Sequence, residues 1–530
     1  MPRSVFQAPP CAGSYPGAAV SPETRCRPSP PPAPAHHPGR RQRSPCGAVG
    51  RWHRLARKRA VPPDPDRDRG FHCNRWRTGK DLTEASDRRR TALRGFLAGP
   101  IARATLLSLA IRIGGLALGF LQAILTARLL GPDGYGAVAY VFSLSMILSA
   151  VALLGTETLA VREVARLKAL GDAAALGGLL RSIRRLTLGV SLLGALAVAL
   201  LLPRIGRHDP AFSAVILFPA LLFPLLAVLL QTQGILRGYG KVAMAQVPFQ
   251  VVRPAVMTAT LALAWLLGTG FSARAYLIAA LAAATLALAL ALRALAGERK
   301  SATVAPAPPP LREILTRATP FFTVSVLTLV LGEINNLMLG WWADAEQTGL
   351  FQPIARIAPL IMLGVQAAGI AYAPRVSALS STGESDLLVR ITRKFTLTTT
   401  AFALAVALLT VLLGEPILAL FGKAFATNTA ALWWVAAAQV FNAACGPVGM
   451  LLTMSQRANR AIPPQLASLG ATLALGYLLI PDLGAIGAAI AFSGGIVTAN
   501  VGMWIAVRRT MGFDPSMLMF IAPLRRSARR

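Results

Sequence analysis

From residue 101 onward, long apolar stretches of the chain alternate with short polar ones. Each stretch is near the roughly 20 residues that an α-helix needs to cross a bilayer. Prolines inside such stretches are tolerated, because neighbouring helices can satisfy the freed backbone groups. The pattern predicts an all-α polytopic membrane protein. Its twelve predicted spans cover about 104–127, 135–155, 186–203, 211–231, 243–267, 275–296, 319–341, 348–372, 395–413, 427–453, 465–481 and 485–507.

The first 95 residues have a different character, being rich in proline and arginine with no apolar periodicity. Such a segment cannot bury enough surface to fold, so we expect 1–95 to be a disordered extension. It contains no apolar core of a signal peptide. Its cysteines and histidines lack metal-ligand spacing, so the sequence predicts no metal and no other cofactor. These residues are Cys11, Cys26, Cys46, Cys73, His53 and His72.

Composition supports a membrane protein rather than several soluble domains. Of the 530 residues, 54% are hydrophobic and 14% are charged, whereas a soluble domain carries about 25% charged residues. The mean hydropathy is +0.54. The chain therefore lacks the polar groups to coat several globular surfaces.

The net charge of +32 mainly reports membrane orientation. If the chain starts inside, the inward segments from Arg88 on carry 30 Lys and Arg, counting Arg293 at the inner end of the sixth span, and the outward loops carry five. The positive-inside rule then predicts that both termini are cytoplasmic and that the number of spans is even. We expect the basic C-terminal tail to attract anionic lipid headgroups, and we predict no nucleic-acid partner.

The longest internal break divides the spans six and six. The predicted segments are the extension 1–95, a first six-helix lobe 96–296, a cytoplasmic linker 297–318, a second six-helix lobe 319–510 and a basic tail 511–530. Gly131 to Ser143 aligns weakly with Asp344 to Arg356 at an offset of 213, with Gly136 matching Gly349. The match indicates either an internal repeat or two similar turn-plus-helix starts. Paired six-helix lobes are a common transporter plan, with the substrate path between them.

Ionisable side chains inside a bilayer are costly, so each is a candidate functional residue. Four lie within apolar stretches, namely Arg112, Arg253, Glu333 and Arg356. Amides share their helix faces, namely Gln246, Gln250, Asn336 and Gln352. Lipid tails cannot form hydrogen bonds with the polar side chains on these faces. We therefore expect the faces to turn inward around a water-filled cavity of positive potential. Guanidinium groups suit phosphate or pyrophosphate through forked hydrogen bonds.

The same residues also allow a structural interpretation. Arg253 or Arg356 could pair with Glu333, or with backbone carbonyls, and lock the bundle without touching substrate. Glu333 is a candidate for coupling to protons or sodium ions, and a structural ion pair is the alternative. No P-loop, GxSxG motif or long outward domain is present, so the sequence predicts a transporter and not an enzyme.

Several segments resemble polysaccharide-biosynthesis flippases of the multidrug/oligosaccharidyl-lipid/polysaccharide exporter (MOP) superfamily. The matching segments are Ala127 to Gly136 (ARLLGPDGYG), Gly155 to Arg166 (GTETLAVREVAR), Gln233 to Gly240 (QGILRGYG), Leu337 to Gly340 (LMLG) and Gly484 to Ala489 (GAIGAA). The resemblance covers about 101–510, and ARLLGPDGYG is its most specific part.

The resemblance implies two helical lobes that alternate between inward-open and outward-open states. Such proteins move an undecaprenyl-pyrophosphate-linked oligosaccharide across the membrane for O-antigen, capsule or exopolysaccharide assembly, beside other polysaccharide-assembly proteins. Cationic cavity residues hold the pyrophosphate, and an ion gradient resets the cycle. Many relatives carry an acidic residue where Asn335 stands here. Glu333 lies nearly a turn away, so the coupling site is predicted as Glu333, Asn335 and Asn336 with the ion left open.

Two other functions fit the same fold or pathway. A multidrug extruder or a lipid II flippase shares the fold, and a cavity richer in carboxylates and aromatics would favour the drug extruder. A membrane glycosyltransferase or polymerase would need acidic residues in a long outward loop, and the predicted outward loops are short.

Overall fold

The computed structural model describes residues 100–205, 210–297 and 310–520. The predicted extension, 1–95, lies outside these residues. The described chain is helical and contains no strand, which confirms the all-α prediction. The helices before residue 298 are α1 (Pro100–Leu153), α2 (Thr156–Leu170), α3 (Ala173–Ile205), α4 (Pro210–Ser213), α5 (Phe218–Gly238), α6 (Val242–Val247), α7 (Arg253–Leu266) and α8 (Ala273–Ala296). Those after residue 309 are α9 (Leu311–Trp342), α10 (Ala345–Ile361), α11 (Leu363–Thr382), α12 (Ser385–Leu412), α13 (Gly414–Ala419), α14 (Thr429–Ala444), α15 (Val448–Met454) and α16 (Ile462–Met511).

The helix lengths account for about twelve membrane crossings. Among the described residues, eight helices are long and apolar enough to span a bilayer, and two bent helix pairs raise the number to ten. Two of the eight are far too long for one crossing, at 47 and 54 residues, since about 20 residues suffice. Each of these two contains a sharp bend and covers two predicted spans, so the prediction of about twelve spans is confirmed.

Both sharp bends lie at glycines of the family-like segments. Gly131 in α1 has φ 67° and Gly484 in α16 has φ 52°. L-residues with side chains rarely adopt this left-handed region, whereas glycine enters it at little cost. Each glycine therefore turns the chain between two crossings without a loop.

Two predicted spans are broken where continuous helices were expected. The span at 348–372 is divided into α10 and α11, which meet at a 40° bend. Pro359 lies in the last turn of α10 and removes a backbone donor there. The span at 427–453 bends by 44° between α14 and α15. Gly446, with φ 77°, and Pro447 occupy that break.

The predicted linker 297–318 is partly helical, since α9 begins at Leu311. Glu313 stands in its first turn, where the helix dipole favours a carboxylate. Arg317 pairs with Glu313 at 2.6 Å, one turn later. These polar contacts extend the helix beyond the apolar stretch that marked the predicted span.

The contact between α1 and α10 follows the 213-residue offset seen in the sequence. A Cβ added to Gly136 would overlap the carbonyl oxygen of Ala345, and one added to Gly349 would overlap that of Pro132. Pro132 and Ala345 are themselves 213 residues apart, so the crossing is symmetric with respect to the offset. Only glycine at both positions allows the backbones to approach this closely.

Several helices have one face that packs against other helices and another face that is exposed to the surroundings of the bundle. On α8, the buried face consists largely of alanines, including Ala283, Ala284, Ala287 and Ala291, which permit close helix packing. On α3, Leu192, Leu193 and Leu196 are exposed. Large apolar side chains exposed over such a band are covered by lipid in a membrane protein.

Candidate cavity for an anionic headgroup

A cavity of about 510 Å³, called the central cavity below, lies between helices from both parts of the chain. Seven of the nine sequence-predicted site residues line it, namely Arg112, Gln250, Arg253, Glu333, Asn336, Gln352 and Arg356. Gln246 and Asn335 do not. The structure therefore brings all four intramembrane charges together around one space.

Arg356 faces the central cavity from α10. Its side chain is exposed although its neighbours Gln352, Ile357 and Ala358 are buried. Since Arg356 lines the central cavity, its exposure is to that space inside the bundle. Tyr135, Tyr276 and Glu333 lie within electrostatic range of its guanidinium.

Arg253 is held in place by two aromatic rings. Its guanidinium carbon lies 4.5 Å from the ring centroid of Phe142 and 4.5 Å from that of Phe249. Cations are attracted to the faces of such rings, at about 0.5–2 kcal/mol each. The rings fix the position of the guanidinium, and no carboxylate of the described residues forms an ion pair with it.

A π-helical turn, Pro248–Val252, immediately precedes Arg253. Such a turn inserts an extra residue and rotates the helix before it relative to the helix after it. The sequence placed Gln246, Gln250 and Arg253 on one face, which assumes an uninterrupted α-helix. The π-turn explains why Gln250 reaches the central cavity and Gln246 does not. Gln246 is buried, and its Oε1 has no hydrogen-bond partner in the described part of the chain.

Arg112 lines the central cavity from the first crossing of α1 and has an exposed side chain. It lies near the start of α1, whereas Tyr135 lies just after the bend at Gly131. Both residues border the same space, so the central cavity follows α1 along most of one crossing.

Four polar side chains form a chain of hydrogen bonds at the wall of the central cavity. Gln352 Nε2 donates to Asn336 Oδ1 at 2.8 Å, and Asn336 Nδ2 donates to Ser143 Oγ at 2.8 Å. Ser143 Oγ donates to Glu333 Oε2 at 2.6 Å. Every donor in this chain points toward Glu333. The hydrogen bonds of such an ordered chain polarise and strengthen one another.

The three arginines of the central cavity do not pair with Glu333, the carboxylate that the sequence analysis considered as their partner. Within the described residues, no ion pair joins Glu333 to Arg112, Arg253 or Arg356. Instead, Glu333 accepts a hydrogen bond from Ser143. Three guanidinium groups and one carboxylate leave the central cavity with an excess of positive charge. An uncompensated charge away from bulk water is costly, so the site favours an anionic occupant.

Asn335, which was predicted to belong to the coupling site, lies outside the lining of the central cavity. Its side chain is 2% exposed, and its Oδ1 has no hydrogen-bond partner among the described residues. One helical position separates Asn335 from Asn336, which turns the two side chains about 100° apart. Asn336 points at Ser143, and Asn335 points away from the central cavity.

Several residues of the site were missed by sequence reasoning. Tyr135, Phe142, Phe249 and Tyr276 line the central cavity, and Gln122 donates a 2.7 Å hydrogen bond to the Tyr276 hydroxyl. Aromatic side chains are common in apolar spans, so they gave no distinct signal. Tyr135 lies within the ARLLGPDGYG segment, and its position in this family-like segment was the one sequence feature that could have indicated it.

Comparison with protein families identifies the chain. Residues 101–380, more than half of its length, match the family model described as polysaccharide biosynthesis protein. The chain belongs to this family. No curated protein matches its sequence significantly.

Solved structures of low sequence identity share the fold. An inward-facing multidrug resistance MATE family transporter of the MOP superfamily has a TM-score of 0.62 at 16% identity, covering 77% of this chain and 98% of its own. The lipid II flippase MurJ in an inward closed conformation scores 0.60 at 13%, covering 76% and 87%. An outward-facing MATE transporter scores 0.51 at 18%, covering 77% and 93%. The protein is thus a multi-pass membrane protein with the fold of MOP-superfamily transporters.

Proposed function

We propose that this protein is a flippase for an undecaprenyl-pyrophosphate-linked oligosaccharide, serving surface polysaccharide assembly such as O-antigen, capsule or exopolysaccharide. The observation that carries the proposal is the set of three arginines facing one cavity without a carboxylate partner. A pyrophosphate supplies the negative charge that these guanidinium groups lack, through forked hydrogen bonds. Gln250 adds an amide group for the same headgroup, whereas the two Nε2 protons of Gln352 are donated to Asn336 and to the carbonyl oxygen of Thr348.

The physical task matches this site. A sugar-pyrophosphate headgroup in hydrocarbon loses its hydration and faces a very high barrier. A polar cavity inside a helical bundle replaces part of that hydration while the lipid tail stays in the bilayer. Transport of this kind makes and breaks no covalent bond, so we assign the protein no enzymatic activity and no cofactor.

We infer an inward-facing state in the bacterial inner membrane, with both termini cytoplasmic. The asymmetry of positive charge supports this orientation. The glycine crossing of α1 and α10 then closes the outward side, at the bend that links the first two crossings. The higher TM-score with the inward-facing MATE transporter than with the outward-facing one agrees with this state. Transport proceeds by rocking of two lobes, 96–296 and 319–510.

Glu333 is our candidate for coupling to H⁺ or Na⁺. Its carboxylate is the acceptor at the end of the hydrogen-bond chain through Ser143 and Asn336. A proton or sodium ion arriving at this carboxylate competes with the Ser143 hydroxyl. Binding of the ion is thereby linked to contacts between α1 and α9, which belong to different lobes.

The central cavity disfavours the multidrug alternative. Extruders of organic cations need carboxylates, whereas this cavity holds one carboxylate against three arginines. Lipid II also carries a pyrophosphate, so a lipid II flippase is chemically closer. The family model for polysaccharide biosynthesis favours the oligosaccharide substrate over lipid II.

Export in cells tests the proposal. A strain that lacks its own flippase is supplied with the wild-type protein, Arg253→Ala or Arg356→Ala. The matched control is Arg162→Ala, an exposed arginine on α2 outside the central cavity. We expect surface polysaccharide to be lost in both cavity variants at unchanged protein level, and to be retained in the control. Wild-type export in both cavity variants would contradict the proposal.

A further inference from the structure

A second pocket, the arginine pocket, lies away from the central cavity between α3 and α5. Its volume is about 260 Å³, and its polar lining consists of Arg181, Arg184, Arg185, Thr187, Gln231 and Thr232. It shares no lining residue with the central cavity. The three arginines stand just before the apolar part of α3, at the level where a helix enters the membrane.

The inner wall of the arginine pocket offers hydrogen-bond donors. The side chain of Gln231 is buried, and its Oε1 accepts from Thr156 Oγ1 at 2.8 Å and from Thr187 Oγ1 at 3.1 Å. These bonds fix the amide, whose Nε2 has only a 3.5 Å contact with the carbonyl oxygen of Thr156. An amide nitrogen carries two donors, so one remains for a ligand oxygen.

The carboxylates of neighbouring α2 do not neutralise the arginine pocket. Glu157 pairs with Arg237 at 3.1 Å. Glu163 pairs with Arg166 at 2.9 Å and with Arg317 at 3.8 Å. In the part of the chain that the structure describes, no ion pair involves Arg184 or Arg185. Within the described residues, Arg184 and Arg185 therefore contribute unpaired positive charge to the pocket.

The arginine pattern recurs at the start of another crossing. RSIRRLTL, from Arg181 to Leu188 in α3, aligns with RITRKFTL, from Arg390 to Leu397 in α12, at an offset of 209. Thr187 and Thr396 occupy equivalent positions and are both buried. The recurrence indicates that this basic entry to a crossing is a feature of each half of the chain.

The two copies differ in what covers them. In α12, the guanidinium carbon of Arg393 lies 4.3 Å from the ring centroid of Phe520, and Thr396 Oγ1 donates to the carbonyl oxygen of Pro515 at 2.8 Å. The segment after α16 thus packs over the second copy. In α3, the corresponding threonine contacts Gln231 instead, and a pocket remains beside it.

We propose that the arginine pocket binds the phosphate of an anionic lipid headgroup. Guanidinium groups and the Gln231 amide suit phosphate oxygens. Leu188 and Val228 complete the pocket, and Leu188 and Leu192 are exposed along α3, where they can contact the acyl chains. On the proposed orientation the bound lipid lies in the cytoplasmic leaflet, where anionic lipids attract basic segments. The site is separate from the transport path, so its test does not depend on the proposed function.

Native mass spectrometry of the purified full-length protein, titrated with phosphatidylglycerol, tests the site. The variants are Arg184→Gln with Arg185→Gln, and the single Arg185→Glu at an exposed position that leaves the buried side chains untouched. The control, Arg162→Gln with Arg312→Gln, removes the same charge from exposed positions outside the pocket. Gel filtration checks that each variant is folded. A parallel arm replaces the lipid by inorganic phosphate and measures the melting temperature.

We expect both pocket variants to retain phosphatidylglycerol about tenfold more weakly than wild type, and the control to bind normally. Stabilisation by inorganic phosphate alone, lost in the pocket variants with no added effect of lipid, would make a soluble phosphate compound the ligand. Should Arg185→Glu hold the lipid as wild type does, or should the control lose as much, the site does not exist.

Discussion

The hydroxyl of Ser143 donates a 2.6 Å hydrogen bond to the carboxylate of Glu333, across the contact between α1 and α9. The same hydroxyl accepts a 2.8 Å hydrogen bond from Asn336. A serine has one proton to donate, so the carboxylate receives it and no other acceptor does. The Glu333 carboxylate is therefore tied to the packing of two helices from different parts of the chain.

Removing this hydroxyl tests the link. Ser143→Ala leaves the buried Asn336 amide without an acceptor, which costs about 1–3 kcal/mol of folding free energy. We also expect transport to change its dependence on pH or sodium, because Glu333 loses its donor. Thermal unfolding and transport in proteoliposomes measure the two effects. Ser213→Ala, at an exposed position, is the matched control. If Ser143→Ala has the melting temperature and the ion dependence of transport of the wild type, the hydrogen-bond chain contributes to neither property.

Much of the architecture could be predicted from the apolar stretches. Their lengths alone indicated about twelve crossings, because a bilayer sets a minimum helix length. Some of the bends were not predicted, because a break within a span, such as that between α10 and α11, does not change the hydropathy of the apolar stretch. The sequence gives the residue type at such a break, such as Pro359, but not the direction in which the helix bends.

The charged residues of the candidate site could be predicted from the sequence. The residues that belong to it only through their packing contacts could not. Arg112, Arg253, Glu333 and Arg356 stood out because charges are rare in spans. Ser143 resembles any small polar residue of a helix interface, and only its partners distinguish it. Gln246 was misplaced by a π-helical turn, which has no sequence signature that separates it from an α-helix.

The glycine crossing predicts a conformational defect. Gly349→Ala adds a methyl group that would overlap the carbonyl oxygen of Pro132. We expect this variant to favour the outward-open state and to lose transport while remaining folded. Distances between spin labels on α1 and α10 measure the shift. Gly189→Ala on α3 has open space around the added methyl group and should behave as wild type. Wild-type label distances in Gly349→Ala would show that the glycine crossing of α1 and α10 does not act as a gate.

The aromatic clamp on Arg253 makes a graded prediction. Phe249→Leu removes one of the two rings at 4.5 Å from the guanidinium. Losing a cation–π contact of about 0.5–2 kcal/mol weakens headgroup binding by roughly 2- to 30-fold. Phe249→Tyr keeps the ring and should bind as wild type, so equal affinity of the leucine and tyrosine variants would argue against the clamp.

Outside the membrane crossings, Glu157 gives a prediction on pH. Burial raises the pKa of this carboxyl above its ordinary value of 4.5, and the nearby Arg237 only partly opposes the effect. The folded state therefore binds this proton more tightly than the unfolded state. The stabilisation is complete below the ordinary pKa and is lost as pH rises through the raised pKa. Melting temperatures of wild type should fall relative to Glu157→Gln over this range. Parallel curves for the two proteins would contradict the shift.

The central claim is that unpaired arginines in the central cavity hold a pyrophosphate headgroup. Binding of farnesyl pyrophosphate and of uncharged farnesol to the purified protein tests it directly, in wild type, Arg253→Gln, Arg356→Gln and the control Arg162→Gln. Losing a charged hydrogen-bond donor should weaken pyrophosphate binding by roughly 10- to 100-fold. We predict that wild type and the control prefer the pyrophosphate and that both cavity variants lose this preference. Equal preference in all four proteins would contradict the account.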